Sequence, residues 1–305
     1  MSDFNSEFWN WFIILPTLLG IVWCFWLVWW MSGSSADDTR PESEAEDTGH
    51  VWDVDLKEYN NPLPRWWLGL FYITLVFSIV YLLLYPGLGS FGGFLGWSSK
   101  KAYEDEMALA DEKYGPLFQK YLSQDLVTVS SDPQAGKIGE RLFLNYCSTC
   151  HGSDARGARG FPNLRDNDWL WGGDAESIKL SILHGRNGMM PGWGAALGGA
   201  DGVSSMTDYV LSLSGRDHDA EAAARGQAQF AVFCAACHGA EGRGNPGIGA
   251  PNLTDNIWLH GSSRTSVSET IDKGRQSMMP GHAEFLGEAK VHLIAAYIYG
   301  LPKDK

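Results

Sequence analysis

The chain has 305 residues, enough for more than one domain, and combines 45% hydrophobic content and 14 tryptophans with a formal net charge of -13. So acidic a chain lacks the basic patch that nucleic-acid binding requires, while the tryptophan content points to membrane contact. The long uncharged stretches all precede residue 100, and residues 1–99 hold 3 basic against 11 acidic side chains.

Phe8 to Met31 contains no charged residue and is long enough to cross a bilayer of roughly 30 Å as a helix. Trp9, Trp11, Trp29 and Trp30 mark its ends as an aromatic belt would, and Pro16 predicts a mild kink. Without a basic N-terminus or a small-residue cleavage site, the span is expected to be retained rather than removed as a signal peptide. An acidic connection follows over 32–65, rich in Ser, Asp and Glu to about Thr48. Its prolines bar a helix before Arg65, so a second span is predicted from Trp66 to Tyr85, closed by Pro86-Gly87. Thr74, Ser78, Tyr81 and Tyr85 share one face of that span, and Thr17, Gly20 and Cys24 one face of the first. These faces suit packing either of the two spans on each other or against another membrane subunit. Residues 1–99 are thus read as a membrane anchor, and the glycine-rich stretch 87–99 as lying along the membrane surface.

A helix over 100–123, interrupted at Gly115-Pro116, is expected to form a stalk within a linker at 100–131. Two similar domains follow, at 132–215 and 216–305. Helices are expected at Gln134–Cys147, Glu176–His184, Ser204–Leu213 and Glu288–Tyr299.

Each domain carries the same chemistry. Cys147-Ser148-Thr149-Cys150-His151 and Cys234-Ala235-Ala236-Cys237-His238 have the spacing of covalent haem attachment, two thiols for the porphyrin vinyls and an imidazole for the iron. The surroundings repeat as well. Pro162-Asn163-Leu164, Trp169-Leu170, Gly185-Arg186 and Met189-Met190-Pro191-Gly192 recur as Pro251-Asn252-Leu253, Trp258-Leu259, Gly274-Arg275 and Met278-Met279-Pro280-Gly281.

A methionine about forty residues after each histidine supplies the second axial ligand of a His/Met electron-transfer haem. Met190 and Met279 are favoured because the adjacent proline fixes their backbone; Met189 and Met278 are assigned to packing. The spacing leaves open whether each sulfur serves its own repeat or the other. A zinc site lacks two further ligands, and a thioredoxin-like pair leaves the methionines unexplained. The predicted fold is all-α, two transmembrane helices before two tandem class I cytochrome c-like domains with two covalent haem c groups.

Asn163 and Asn252, Trp169 and Trp258, and Arg186 and Arg275 are repeated candidates for the haem surroundings, with fold maintenance as the alternative. His50, His184, His218, His260, His282 and His292 have no counterpart in the other repeat and are read as surface or packing residues. Cys24 is read as a small hydrophobe, and no structural disulfide is expected.

From His50 onward the chain resembles the dihaem subunit III (CcoP or FixP) of cbb3-type cytochrome c oxidase. Asn60-Asn61-Pro62-Leu63-Pro64-Arg65-Trp66-Trp67, feeding a helix that ends in Tyr85-Pro86-Gly87, is the most family-specific part. The first span is an element that many members lack. The resemblance implies a subunit of a bacterial inner-membrane oxidase that reduces oxygen to water. This chain would relay electrons from a donor cytochrome c toward a monohaem subunit and the catalytic subunit, with no catalytic site of its own. Haem attachment implies that the haem domains are periplasmic, which puts residues 32–65 in the cytoplasm; the positive-inside rule gives this weak support, with no Lys or Arg before the first span and three in the connection, against Lys100 and Lys101 just beyond the second span. The rival functions are a free-standing membrane-anchored shuttle and a dihaem peroxidase.

Overall fold

The computed structural model describes residues 6–33, 47–59 and 64–304. Most of the acidic connection and Asn60-Asn61-Pro62-Leu63 of the family-specific stretch lie outside the described residues. The chain divides into two compact units, Met1–Asp111 and Glu112–Lys305.

In the first unit, α1 (Glu7–Gly33) is continuous through Pro16. A hairpin of β1 (Asp47–Trp52) and β2 (Leu56–Tyr59) follows, then α2 (Arg65–Leu84), entered through Pro64. Both helices are long and apolar enough to cross a membrane. Val28 and Leu75 are buried and Phe25 lies 6.2 Å from Tyr72 between ring centroids, so one narrow face of each helix meets the other and the rest is left to lipid. Thr17 and Cys24 are half-buried, whereas Gly20 faces open space and Thr74 and Tyr81 are exposed. The glycine-rich stretch folds back on α2. Phe94 and Leu95 N–H donate to Leu83 and Leu84 carbonyls at 2.9 and 3.1 Å, filling acceptors that the helix end leaves open. Asn10 of α1 accepts from Ser90 N–H at 2.7 Å.

α3 (Ser99–Leu122) spans the boundary between the units and continues through Pro116, where an interruption was expected. The ring removes one backbone donor, and the helix tolerates this single loss within its 24 residues.

The second unit continues with α4 (Leu126–Ser130), α5 (Pro133–Tyr146), α6 (Ser148–His151), α7 (Ala175–His184), β3 (Arg186–Pro191), α8 (Ala200–Leu213), α9 (Ala220–Phe233), α10 (Ala235–His238), α11 (Arg264–Lys273), β4 (Gly274–Met279), α12 (Ala283–Leu286) and α13 (Glu288–Tyr299). Side chains fix the main helix starts. Asp132 accepts from Gln134 and Ala135 N–H with Pro133 behind it, Asp174 from Ser177, Asp219 from Ala222 and Ser263 from Ser266; each cap contributes about 1 kcal/mol.

The packing crosses the sequence repeats. One core joins Phe143, Leu164 and Ile182 of the first repeat, with Tyr121 and Val129 from the stalk, to Leu286, Leu293 and Ile294 of the second. The other joins Leu197, Met206 and Val210 of the first repeat to Phe230, Val267 and Ile271 of the second. A division at residue 215 therefore separates repeats but not packed lobes. The first lobe combines the stalk end and α4 to α7 with α12 and α13, and the second combines α8 with α9 to α11. Glycine permits both helix crossings. A Cβ at Gly139 would stand 2.5 Å from Leu293 O and 2.6 Å from Tyr297 Cβ, and one at Gly226 would strike Ser205 O.

β3 and β4 pair antiparallel where the chain changes lobes, with Arg186 opposite Met279, Gly188 opposite Ser277 and Met190 opposite Arg275. The all-α expectation is corrected to a mostly helical fold with two short two-stranded ribbons.

Candidate haem sites

Each histidine is placed by a helix end. α5 stops at Cys147 and α9 at Cys234, and one further turn, α6 or α10, brings His151 or His238 under its lobe, both nearly fully buried. His151 Nδ1 lies 3.1 Å from the Pro162 carbonyl and His238 Nδ1 3.0 Å from that of Pro251. A carbonyl only accepts, so Nδ1 carries the proton in both rings and Nε2 keeps its lone pair for a metal. Burial lowers the pKa of both imidazoles, holding them neutral as ligation requires. Pro162 and Pro251 thus give the repeated Pro-Asn-Leu a function that the sequence did not disclose.

Cys150 and Cys237 are exposed, whereas Cys147 and Cys234 lie deeper. Burial, and then the neighbouring cysteine, push the thiols of Cys147 and Cys234 up to about 11. This is the opposite of the shift that activates a redox Cys-x-x-Cys. No group of three or more His, Cys, Asp or Glu capable of holding a metal occurs among the described residues.

The methionine loops are the least expected feature. Met279 packs against the first lobe's core, as Cys147 and Trp169 of the other repeat also do, and three residues on His282 N–H donates to Ile182 O at 2.9 Å. Reciprocally, the chain after Met190 runs along the end of α11. Trp193 N–H donates to Ile271 O at 2.9 Å, and Trp193 joins the core that holds Cys234. Gly185 and Gly274, with φ +73° and +78°, pass so close to the opposite loop that a Cβ would strike Met279 O or Met190 O. Met189 and Met278 are 77% and 75% exposed, while Met190 and Met279 are half-buried.

The repeated polar residues hold this frame. Arg186 Nε donates to Ser181 Oγ at 2.8 Å, with its guanidinium over Trp171, and Arg275 Nε donates to Thr270 Oγ1 at 2.9 Å. Asn163 and Asn252 accept from Arg165 and Thr254 N–H, shaping the turn after the proline. Trp169 and Trp258 line opposite lobes, and Trp258 Nε1 is buried without a partner.

A porphyrin fits these residues. Each lobe offers two thiols, a neutral imidazole with a free lone pair and a thioether loop, and the buried indole N–H of Trp258 lacks an acceptor that a haem carboxylate would supply.

Of the isolated histidines, His50 lies 4.5 Å from Trp52 between ring centroids with the planes tilted by 50°, His184 ends α7, the His218 ring lies 2.7 Å from the Arg216 carbonyl, and His260 accepts from Arg159 through its backbone carbonyl. His292 is buried in α13. His282 is half-buried with Nδ1 unpartnered, and the signal that marks it is its alignment with Trp193.

Comparison with known proteins gives a consistent assignment. Residues 44–92 match the N-terminal domain of cytochrome oxidase-cbb3, FixP, and residues 134–210 and 221–298 match cytochrome C oxidase, cbb3-type, subunit III. The chain is 46% identical over 301 residues to the Cbb3-type cytochrome c oxidase subunit CcoP of Rubrivivax gelatinosus, covering 99% of this chain and 97% of that one. It is 41% identical over 276 residues to the CcoP subunit of Cereibacter sphaeroides, covering 85% and 95%. It is 40% identical over 280 residues to the FixP subunit of a Bradyrhizobium species, again covering 85% and 95%. The first alignment is long enough to include the α1 segment.

Proposed function

The chain belongs to the family of subunit III (CcoP or FixP) of cbb3-type cytochrome c oxidase and is a membrane-anchored cytochrome subunit that transfers electrons within that complex; from this premise we propose how it holds two covalent haems. Cys147 and Cys150 anchor the first and Cys234 and Cys237 the second. His151 pairs with Met279 and His238 with Met190, each iron taking one ligand from either repeat. The observation that carries this reading is the β3–β4 ribbon, which delivers Met279 to the core containing Cys147 and leads the chain after Met190 into the core containing Cys234.

When bound, each haem supplies a one-electron iron couple. The protein's part is to fix its surroundings. The Pro162 and Pro251 carbonyls hold the imidazoles in one tautomer, the thioethers of Met190 and Met279 would hold the iron together with the imidazoles, and the two cores exclude water. Irons held in this way would leave no site for oxygen, and the subunit would serve as a relay without a catalytic site of its own.

α1 and α2 tether the relay to the bacterial inner membrane, with the haem lobes on the periplasmic side. Its partners are the catalytic and monohaem subunits and a donor cytochrome c. A haem-specific pyridine assay on the denatured full-length chain tests the cofactor count. Two haems that resist acid acetone are expected, one lost with each Cys pair changed to Ser. One extractable porphyrin contradicts the proposal.

A further inference from the structure

The two crevices are built alike up to the third residue after the methionine. Trp193 N–H donates to Ile271 O and His282 N–H donates to Ile182 O, both at 2.9 Å, so the two backbones occupy equivalent places. The side chains differ. Trp193 packs 5.7 Å from Phe233 between ring centroids and closes the second lobe with an indole. At the matching point of the first lobe His282 puts an imidazole, whose Nδ1 is buried with no hydrogen-bond partner.

We propose that His282 is a tuning residue, lowering the reduction potential of the haem anchored at Cys147 and Cys150 relative to the one whose crevice Trp193 closes. Ferric haem carries one more positive charge than ferrous haem. A polar ring favours the oxidised iron, whereas an apolar indole does not. Burial and polarity are thus set differently in two otherwise matching sites. The inference rests on the two-haem reading above.

The test is a spectroscopic redox titration of the full-length holoprotein in detergent at about pH 8, above the ordinary histidine range. His282→Trp is expected to raise the lower of two components, changing the one-electron exchange equilibrium between the haems about tenfold. Trp193→His is expected to lower the upper component. His282→Gln, which keeps a polar group, is expected to leave the lower component within about threefold of wild type on the same scale. Each variant is scored on molecules that retain both haems and the far-red charge-transfer band of thioether-ligated ferric haem. A purely structural role for His282 predicts unchanged potentials in these molecules, and that result overturns the proposal, as does a downward shift in His282→Trp. Absence of two covalent haems in the wild type instead defeats the earlier reading.

Discussion

Arg186 of the first repeat stands directly opposite Met279 of the second across the β3–β4 ribbon, while its Nε donates to Ser181 Oγ of α7 at 2.8 Å. The arginine therefore fastens to the first lobe the strand that faces the foreign methionine. Arg275 does the same for Met190 in the second lobe through Thr270. The ribbon is a clasp in which each strand is tied to one lobe and faces the methionine of the other repeat.

The crossing makes the two repeats interdependent. Leu293 of the second repeat is fully buried in the core that surrounds the first repeat's Cys147 and Phe143. Leu293→Ala is expected to cost about 2–5 kcal/mol in the denaturant unfolding of the first lobe. The spectrum of the haem at Cys147 should be disturbed before that at Cys234. Sequentially independent domains would give the reverse order.

Asp168 lies against Asp255 and Asp166, and the equivalent residue of the second repeat is Ile257. Burial first, and then these two carboxylates, push its pKa up to about 6. A raised carboxyl pKa contributes stability that is fully present below the ordinary value of about 3.9 and is lost as pH rises through about 6. Asp168→Asn is therefore expected to be neutral near pH 4 and stabilising by about 1 kcal/mol at pH 8, allowing for solvent screening at this half-buried site. Chemical denaturation of both proteins at the two pH values checks this; an equal effect at both contradicts it.

Asp208 works in the opposite sense. It is buried in α8, accepts from Asp219 N–H and pairs with Arg264 of α11, whose guanidinium holds its pKa below the ordinary range. Arg264→Ala leaves the buried carboxylate short of its main partner, at an expected cost of about 3 kcal/mol at pH 7. A depressed pKa contributes stability above the ordinary Asp value that is lost as pH falls through the folded one. The gap between wild type and variant should therefore narrow below about pH 4, which acid-dependent unfolding curves report.

The helices were legible because local signals mark them. Asp132-Pro133 and Asp174 announce helix starts, and charge-free runs define α1 and α2. The ribbons were not. β1 and β2 turn through Asp53 and Val54, at φ +48° and +81° without a glycine to signal it, and β3 finds its partner a whole repeat away. The spacing of the thiols and imidazoles makes them candidates for haem attachment. The placement of the methionine loops was not legible, because two repeats with the same motifs suit loops that cross or stay home alike. His282 was passed over as an isolated histidine, although the repeat alignment sets it against Trp193.

Crossed ligation is tested most directly in a full-length variant that keeps only the haem at Cys147 and Cys150, with Cys234 and Cys237 changed to Ala. Met279→Leu in that background is expected to abolish the far-red thioether-to-iron band, while Met190→Leu leaves it intact. Loss of the band with Met190→Leu and its survival with Met279→Leu would contradict the account.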